Sequence, residues 1–202
     1  MNDTVLATIP DESRDRLQEI TIRQYNTMLT ANPPDKHAIA EMIYHRFFGR
    51  YIKPFLFDDR RYKTFYKSGF AMMASSCLLI EALESFYEGL EETPVRENEK
   101  MFKSFFDREE AFRVFGGTGF YKHVRCGILH QGETTGGFTI ERTQTGKLFD
   151  SGKKRINALV FLAGLEGSLA SYRKLLLKSE WDSEVWDNFR RKMRFIINHC
   201  ST

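Results

Sequence analysis

Arg125 and His130 stand five positions apart in VRCGILHQGETTGG, residues Val124 to Gly137. These two residue types could act together on a phosphodiester. Histidine, as a class, titrates near neutrality and can move a proton to or from a ribose 2′-hydroxyl or a leaving oxygen. Arginine stays charged and can grip two non-bridging phosphate oxygens, stabilising the charge that grows in the transition state. The spacing alone is a weak signal, because the chain holds a second copy, Arg194 to His199 in RFIINHC. That copy ends three residues from the last residue given, on a helix whose polar face is already rich in Arg and Lys. A solvated basic face accounts for it. The Arg125 copy lies between glycine-rich stretches, with apolar Val124, Ile128 and Leu129 to dock it on a core. Its two polar residues would then be held at an edge.

The elements that must position them are mostly helical. Pro10 followed by DESRDRLQEI predicts a first helix, capped by Asp11 or Ser13, with Leu17, Ile20, Tyr25, Met28 and Leu29 on its apolar side. ANPPD stops it. Asp35 is placed to cap a second helix through HAIAEMIYHRFFGRYI, which ends near Pro54. Residues 55–65 read as a connector. A long third helix, YKSGFAMMASSCLLIEALESFYEGLEE, is apolar on most sides at first and should be central to a bundle, with Thr93–Pro94 breaking it. The fourth, NEKMFKSFFDREEAFRVF, should bury its aromatic run, and Gly116–Gly117 ends it. FYKHVRCGILHQ is a short helix bounded by glycines. GFTIERTQTGKLFD changes character: β-branched residues flank Thr145–Gly146, which predicts a small hairpin. INALVFLAGLEGSLASYRKLLLKS and SEVWDNFRRKMRFIINH are the last two helices. The expectation is a single mainly α domain over residues 1–202, with a small β-hairpin insert.

Composition agrees with a globular chain. Its 202 residues are 42% hydrophobic and 28% charged, with 18 Phe and 8 Tyr, enough for one sizeable aromatic core. A net charge of +3 permits an anionic partner without demanding one, and a duplex-DNA binder would show a stronger basic stripe. Cys77, Cys126 and Cys200 form neither a disulfide framework nor a zinc pattern. No metal and no cofactor are expected. A reducing, cytoplasmic compartment is expected, with no signal peptide at the acidic N-terminus. The apolar stretches Ala71–Ile80 and Ile156–Leu169 read as too short or too interrupted for a bilayer, so no membrane association is expected.

FYKHVRCGILHQGE resembles the signature of HEPN domains, helical bundles whose motif is Arg, usually a polar residue, three more positions, then His. RCGILH is the matching string. The match covers about a dozen residues; the rest is similar only in helical architecture. Cys126 departs from the usual polar residue after the arginine. Many HEPN domains are metal-independent endoribonucleases, frequently toxins or antiviral defence effectors. The resemblance therefore implies RNA as substrate, Arg125 and His130 in the active roles, a 2′,3′-cyclic phosphate product, and an antitoxin or other regulatory protein as a further partner.

Geometry adds a constraint. Five residues of an ideal helix turn through about 500°, leaving the two side chains about 140° apart. Either the helix distorts, for which Gly127 is well placed, or a second copy completes the site. HEPN ribonucleases resemble the second case, which implies a homodimer with both residues at a shared cleft. Around the pair, Lys122 and His123 are either accessory phosphate contacts or surface residues. Gln131 and Glu133 could orient His130 or contact a base, or simply solvate the loop. Glu81 and Glu84 are carboxylates on the most apolar helix, where a buried acid needs a partner, and Arg125 is one candidate. GETTGG lacks the GxxxxGK[ST] pattern of a phosphate loop and reads instead as a lead into the hairpin. Arg142, Lys147, Lys153, Lys154 and Arg155 make a basic neighbourhood that could hold an RNA backbone or be ordinary surface.

Three readings stay open at this level. The pair could cleave RNA. The same helical module could hold RNA, a nucleotide or a protein partner without cleaving. Or Arg125 could merely pair with a carboxylate, and His130 be a satisfied core residue, in a structural protein.

Overall fold

The structure is a computed structural model and describes residues 3–11, 16–56, 68–92 and 97–200. The protein is mainly α. In chain order the elements are strands β1 (Val5–Asp11) and β2 (Arg16–Thr21), then helices α1 (Ile22–Thr30), α2 (Lys36–Phe47), α3 (Gly69–Tyr87), α4 (Asn98–Arg108) and α5 (Gly127–Gln131). Strands β3 (Thr139–Glu141), β4 (Phe149–Asp150) and β5 (Arg155–Asn157) follow, and then helices α6 (Ala158–Lys178) and α7 (Glu184–Cys200). The chain divides into two compact units. One comprises Met1–Arg50, Ser85–Glu92 and Leu169–Thr202; the other comprises Tyr51–Glu84 and Thr93–Ser168.

The first unit starts with a correction. No helix runs from Pro10. Instead β1 pairs antiparallel with β2, Ile9 opposite Gln18 and Pro10 opposite Leu17. The helical reading of Leu17 and Ile20 fails because the two are not on one buried side: Leu17 is exposed and Ile20 buried. The β-branched Val5, Thr8 and Ile9 supply the partner strand. The helix begins only after Thr21, through a capping box. The Thr21 backbone N–H donates to Gln24 Oε1 at 2.8 Å, and the Thr21 hydroxyl accepts from the Gln24 N–H at 3.4 Å. Asp11 lies in β1, and Ser13 lies outside the described residues.

Further along, the local signals hold. α1 stops before Asn32–Pro33, and Asp35 caps α2 by accepting from the Ala38 N–H at 2.9 Å. Beyond Phe47 the chain stays helical in other windings, a wide turn over Phe48–Ile52 and a tight one over Lys53–Phe55 that contains Pro54. Residues 57–65 of the expected connector, and Thr93–Pro94, lie outside the described residues. The core of this unit gathers Phe47, Phe86, Tyr172, Trp186 and Phe189, all buried, with Phe86 5.4 Å from Phe47 and 5.5 Å from Phe189.

The second unit is built on phenylalanine. Met101, Phe102, Phe105 and Phe106 are buried, as the aromatic run of α4 requires. α4 does not continue to Phe115. It breaks at Glu109, which adopts an extended conformation, and the chain resumes as a 3₁₀ helix over Glu110–Phe115. Residues three apart eclipse in that tighter winding, so Phe112 and Phe115 both turn inward. They meet Phe161 of α6 at 4.9 and 5.4 Å.

The β insert also differs from expectation. Thr145–Gly146 does not join paired strands. β5 is central, parallel to β3 and antiparallel to β4, in the order β3-β5-β4. The hairpin is therefore β4–β5, turning at residues 151–154, where Lys154 takes a positive φ of 47°. The partner that decides this is Asn157. Its side chain accepts from the Thr143 N–H and donates to the Thr143 carbonyl and hydroxyl, which holds the loop after β3 beside the end of β5.

α3 has 19 residues and is long and apolar enough, by length and composition, to cross a membrane, beyond what the stretch Ala71–Ile80 indicated. Within the fold it is a mostly buried core helix, with Met72, Met73, Leu79, Ile80 and Leu83 all buried.

Candidate active site

The segment carrying Arg125 and His130 lies wholly in the second unit. It is not a regular helix. Tyr121–Cys126 form a π-helical turn and Gly127–Gln131 an α-helical one. Glycines with positive φ bracket the pair, Gly119 at 77° and Gly132 at 69°. Gly132 ends α5 in the left-handed conformation that glycine adopts without strain.

The chain after Gly132 then folds back along the helix it has left. The Glu133 N–H donates to the Gly127 carbonyl at 3.3 Å, and the Thr135 N–H to the His123 carbonyl at 2.9 Å. A Cβ on Gly127 would lie 2.5 Å from the Glu133 carbonyl oxygen, so only glycine permits this approach. The threonines serve the same loop. Thr134 donates to the Phe138 carbonyl at 2.7 Å, and the Thr135 hydroxyl meets His123 Nδ1 at 2.9 Å. The run GETTGG is thus a strap that leads into β3.

This irregular winding brings the pair together. Arg125 Nη1 lies 3.4 Å from His130 Nε2, at the long end of the hydrogen-bonding range. The guanidinium donates, so Nε2 accepts. His130 is exposed, whereas the Arg125 side chain is only 12% exposed. Of the two routes open to the sequence, distortion near Gly127 suffices to bring one Arg125 to one His130 within a single chain.

Arg125 is held from two directions. Its Nε donates to Glu81 Oε1 of α3 at 2.8 Å, and its guanidinium lies 5.6 Å from the centre of the Tyr121 ring. Burial alone would lower the affinity of Arg125 for its proton. The Glu81 carboxylate, by hydrogen bond and by charge, more than offsets this and raises its pKa above arginine's ordinary value. Burial and the neighbouring Cys126 raise the Tyr121 phenol, against opposing pulls from Arg125 and Asn98. An edge with a fixed guanidinium and an exposed imidazole can hold a phosphate and exchange a proton beside it.

The other candidates separate clearly. Glu84 does not reach Arg125. It is fully buried and forms an ion pair with Arg108, one turn further along the same face of α3 from Glu81. His123 is half-buried, stacked near Phe138 at 6.2 Å and hydrogen-bonded to Thr135, so it strengthens the strap. Lys122 and Gln131 are exposed. Glu133 is exposed and accepts from the Thr134 N–H at 2.8 Å, an ordinary loop contact. Of the basic neighbours, Arg155 pairs with Glu141 at 3.1 Å, and Lys154 donates to the Gly136 carbonyl at 2.9 Å. Lys147 and Lys153 are exposed. In the second copy of the spacing, His199 Nδ1 donates to the Phe195 carbonyl at 2.8 Å and the ring packs on Phe195 at 4.0 Å.

Tyr121 is the neighbour that motif reading missed. Its signal was present: an aromatic residue four positions before an arginine on a helical segment can meet that arginine. Asn98 at the start of α4 had no such signal, because it lies 27 residues from Arg125. Among the described residues no group of three or more His, Cys, Asp or Glu is arranged to hold a metal ion. No protein-family model, no curated protein and no solved structure matches the chain.

Proposed function

We propose that the protein is a metal-independent endoribonuclease of HEPN type, working as a homodimer in the cytoplasm. One observation carries the reading: Arg125 Nη1 and His130 Nε2 lie 3.4 Å apart at a protein edge, with the arginine anchored by Glu81. The chemistry is an in-line attack of a ribose 2′-hydroxyl on the adjacent phosphorus. His130 takes the hydroxyl proton as the P–O bond forms. Arg125 stabilises the charge on the non-bridging oxygens. The 5′-oxygen leaves as its bond to phosphorus breaks and accepts a proton from the second His130 of a dimer, which acts in its imidazolium form, so the two histidines together hold as many protons after the step as before it. The products are a 2′,3′-cyclic phosphate and a 5′-hydroxyl. A toxin or antiviral role, with an antitoxin or other regulatory protein as partner, follows from the resemblance of RCGILH.

A second reading has its own support. Arg125 already serves Glu81 and the Tyr121 ring, and an arginine so committed can hold an anion without any proton being moved. In that case the protein is a non-catalytic module that binds RNA, a nucleotide or a protein partner.

The experiment is RNA cleavage by purified protein in EDTA, beside His130→Ala and Arg125→Ala, with the oligomeric state measured by sedimentation. Cleavage in EDTA should leave a cyclic phosphate. It should fall roughly 10²- to 10⁴-fold without His130 and on the order of 10²-fold or more without Arg125. RNA binding without cleavage by a folded dimer favours the second reading. Cleavage retained in both variants moves the site elsewhere.

A further inference from the structure

Arg125 is the residue on which the proposed chemistry depends most for its geometry. It extends from the π-helical turn at the edge of α5. A guanidinium has five N–H donors in one plane, and its usefulness depends on which way that plane faces. Glu81 engages its Nε at 2.8 Å, which fixes one corner. Rotation about that bond would still swing Nη1 away from His130. Tyr121 supplies a second contact: the guanidinium carbon lies over its ring, 5.6 Å from the centre. That distance falls within the reach of a cation–π attraction.

Tyr121 is itself well placed to serve as a platform. Its ring packs against the buried Phe102 of α4 at 5.5 Å. Its hydroxyl is flanked by the Asn98 side chain and by Cys126. The ring is therefore supported from the core. Cys126, the departure from the usual polar residue after the arginine, has a place in this arrangement as a neighbour of the Tyr121 hydroxyl.

We propose that Tyr121 is a positioning residue for Arg125: its ring, docked on Phe102, holds the guanidinium that Glu81 anchors at its Nε. The inference rests on the ribonuclease reading for its kinetic consequence, but not for its structural one. Tyr121 touches no substrate atom in this role. It acts through Arg125 alone, so its effect belongs in kcat, where phosphate charge is stabilised, more than in KM.

The test uses the full chain with Tyr121→Phe, Tyr121→Leu, and a series carrying increasingly fluorinated phenylalanine at position 121. Fluorine withdraws electron density from the ring face with little change of shape, so a ring that merely fills space is indifferent to it. Tyr121→Phe should keep kcat within about 3-fold, and Tyr121→Leu should lower it by roughly 3- to 30-fold. Across the fluorinated series kcat should fall stepwise while KM holds. In parallel, the Arg125 Nε–H resonance, assigned by its loss in Arg125→Lys, should exchange faster with solvent in the same order. If the protein cleaves RNA but fluorination moves neither kcat nor the Arg125 resonance, the positioning role is overturned and the ribonuclease reading stands. If the protein cleaves no RNA, the ribonuclease reading fails, and the Arg125 resonance alone decides. Unchanged exchange across the series overturns the role of Tyr121, and graded acceleration supports it. The series preserves ring shape, so a Tyr121→Leu protein that fails to fold does not remove the test.

Discussion

Glu81 and Glu84 are three residues apart on α3, and each serves a different arginine. Their surroundings predict different consequences of losing charge. Glu84 is fully buried against Arg108, whose side chain is 30% exposed and also lies 3.5 Å from a Glu109 carboxylate oxygen, so removing the Glu84 charge takes away the buried one of two compensating acids. Glu84→Gln should therefore cost about 3 kcal/mol of stability, a little less if water reaches Arg108. It should leave kcat per folded molecule within about 3-fold. Glu81→Gln should move the melting temperature less and kcat more, by roughly 10-fold, because a charged hydrogen bond that aims Arg125 is weakened. Thermal unfolding and RNA cleavage on both variants decide the matter. Equal effects of the two variants on kcat would mean that Glu81 does not aim Arg125. Arg125 and His130 stood out as candidates by residue type and by the apolar segment that carries them, but the choice between Glu81 and Glu84 could not be read from the sequence. Both lie on one helical face, and which of them meets an arginine 44 or 41 residues away depends on how α3 and the π-helical segment dock.

At the scale of elements, the winding of residues 121–131 does what an ideal helix cannot. A regular helix would point residues 125 and 130 apart, and a π-helical turn followed by an α-helical one brings them together. Gly127 sits at the junction, with the Glu133 carbonyl where its Cβ would be. Gly127→Ala should therefore push the strap off the helix, lower stability by about 1–3 kcal/mol and disturb the position of His130. Gly167→Ala in α6 is the contrasting case. Nothing lies within 4 Å of its added Cβ, so this variant should gain up to about 1 kcal/mol from helix propensity alone. Denaturant unfolding of the two variants reads both signs. A stable Gly127→Ala protein would show that the strap is not pressed against α5. That a glycine belonged at this junction was visible in the sequence; that it faced a carbonyl rather than merely bending the helix was not.

At the scale of the whole molecule, each compact unit buries an acid that the fold keeps protonated. In one, Tyr25 is raised by burial, against the pull of Arg190 and Arg194. In the other, Cys77 is raised by burial, with Glu81 and Cys126 adding to the shift and Arg125 opposing it. Above about pH 9 the unfolded chain begins to release these protons while the folded chain retains them. The unfolded state then binds fewer protons than the native one, so stability falls as pH rises. Their contribution is fully present below the unfolded values and declines through the alkaline range. Urea unfolding between neutral and strongly alkaline pH should show that slope, and Cys77→Ala should flatten its lower part. A flat profile in the parent protein would contradict the burial of both groups.

Much of this protein follows from its sequence alone, wherever a short stretch of chain settles the matter. The Asp35 cap, the stop at Asn32–Pro33, the buried phenylalanines of α4 and the glycines around α5 are consequences of dihedral preference and side-chain character within a few residues. The placement of Arg125 and His130 on one docked segment belongs with them. Tertiary structure decided everything that required two distant stretches to meet. Residues 16–21 became a strand because β1 was there to pair with it, and β4 took β5 as its hairpin partner with β3 on the other side. Glu81 became the anchor of Arg125 because α3 passes beside the π-helical turn. Backbone pairing and ion pairing depend on which atoms come within a few ångströms after the chain has closed, and periodicity along the chain carries no record of that.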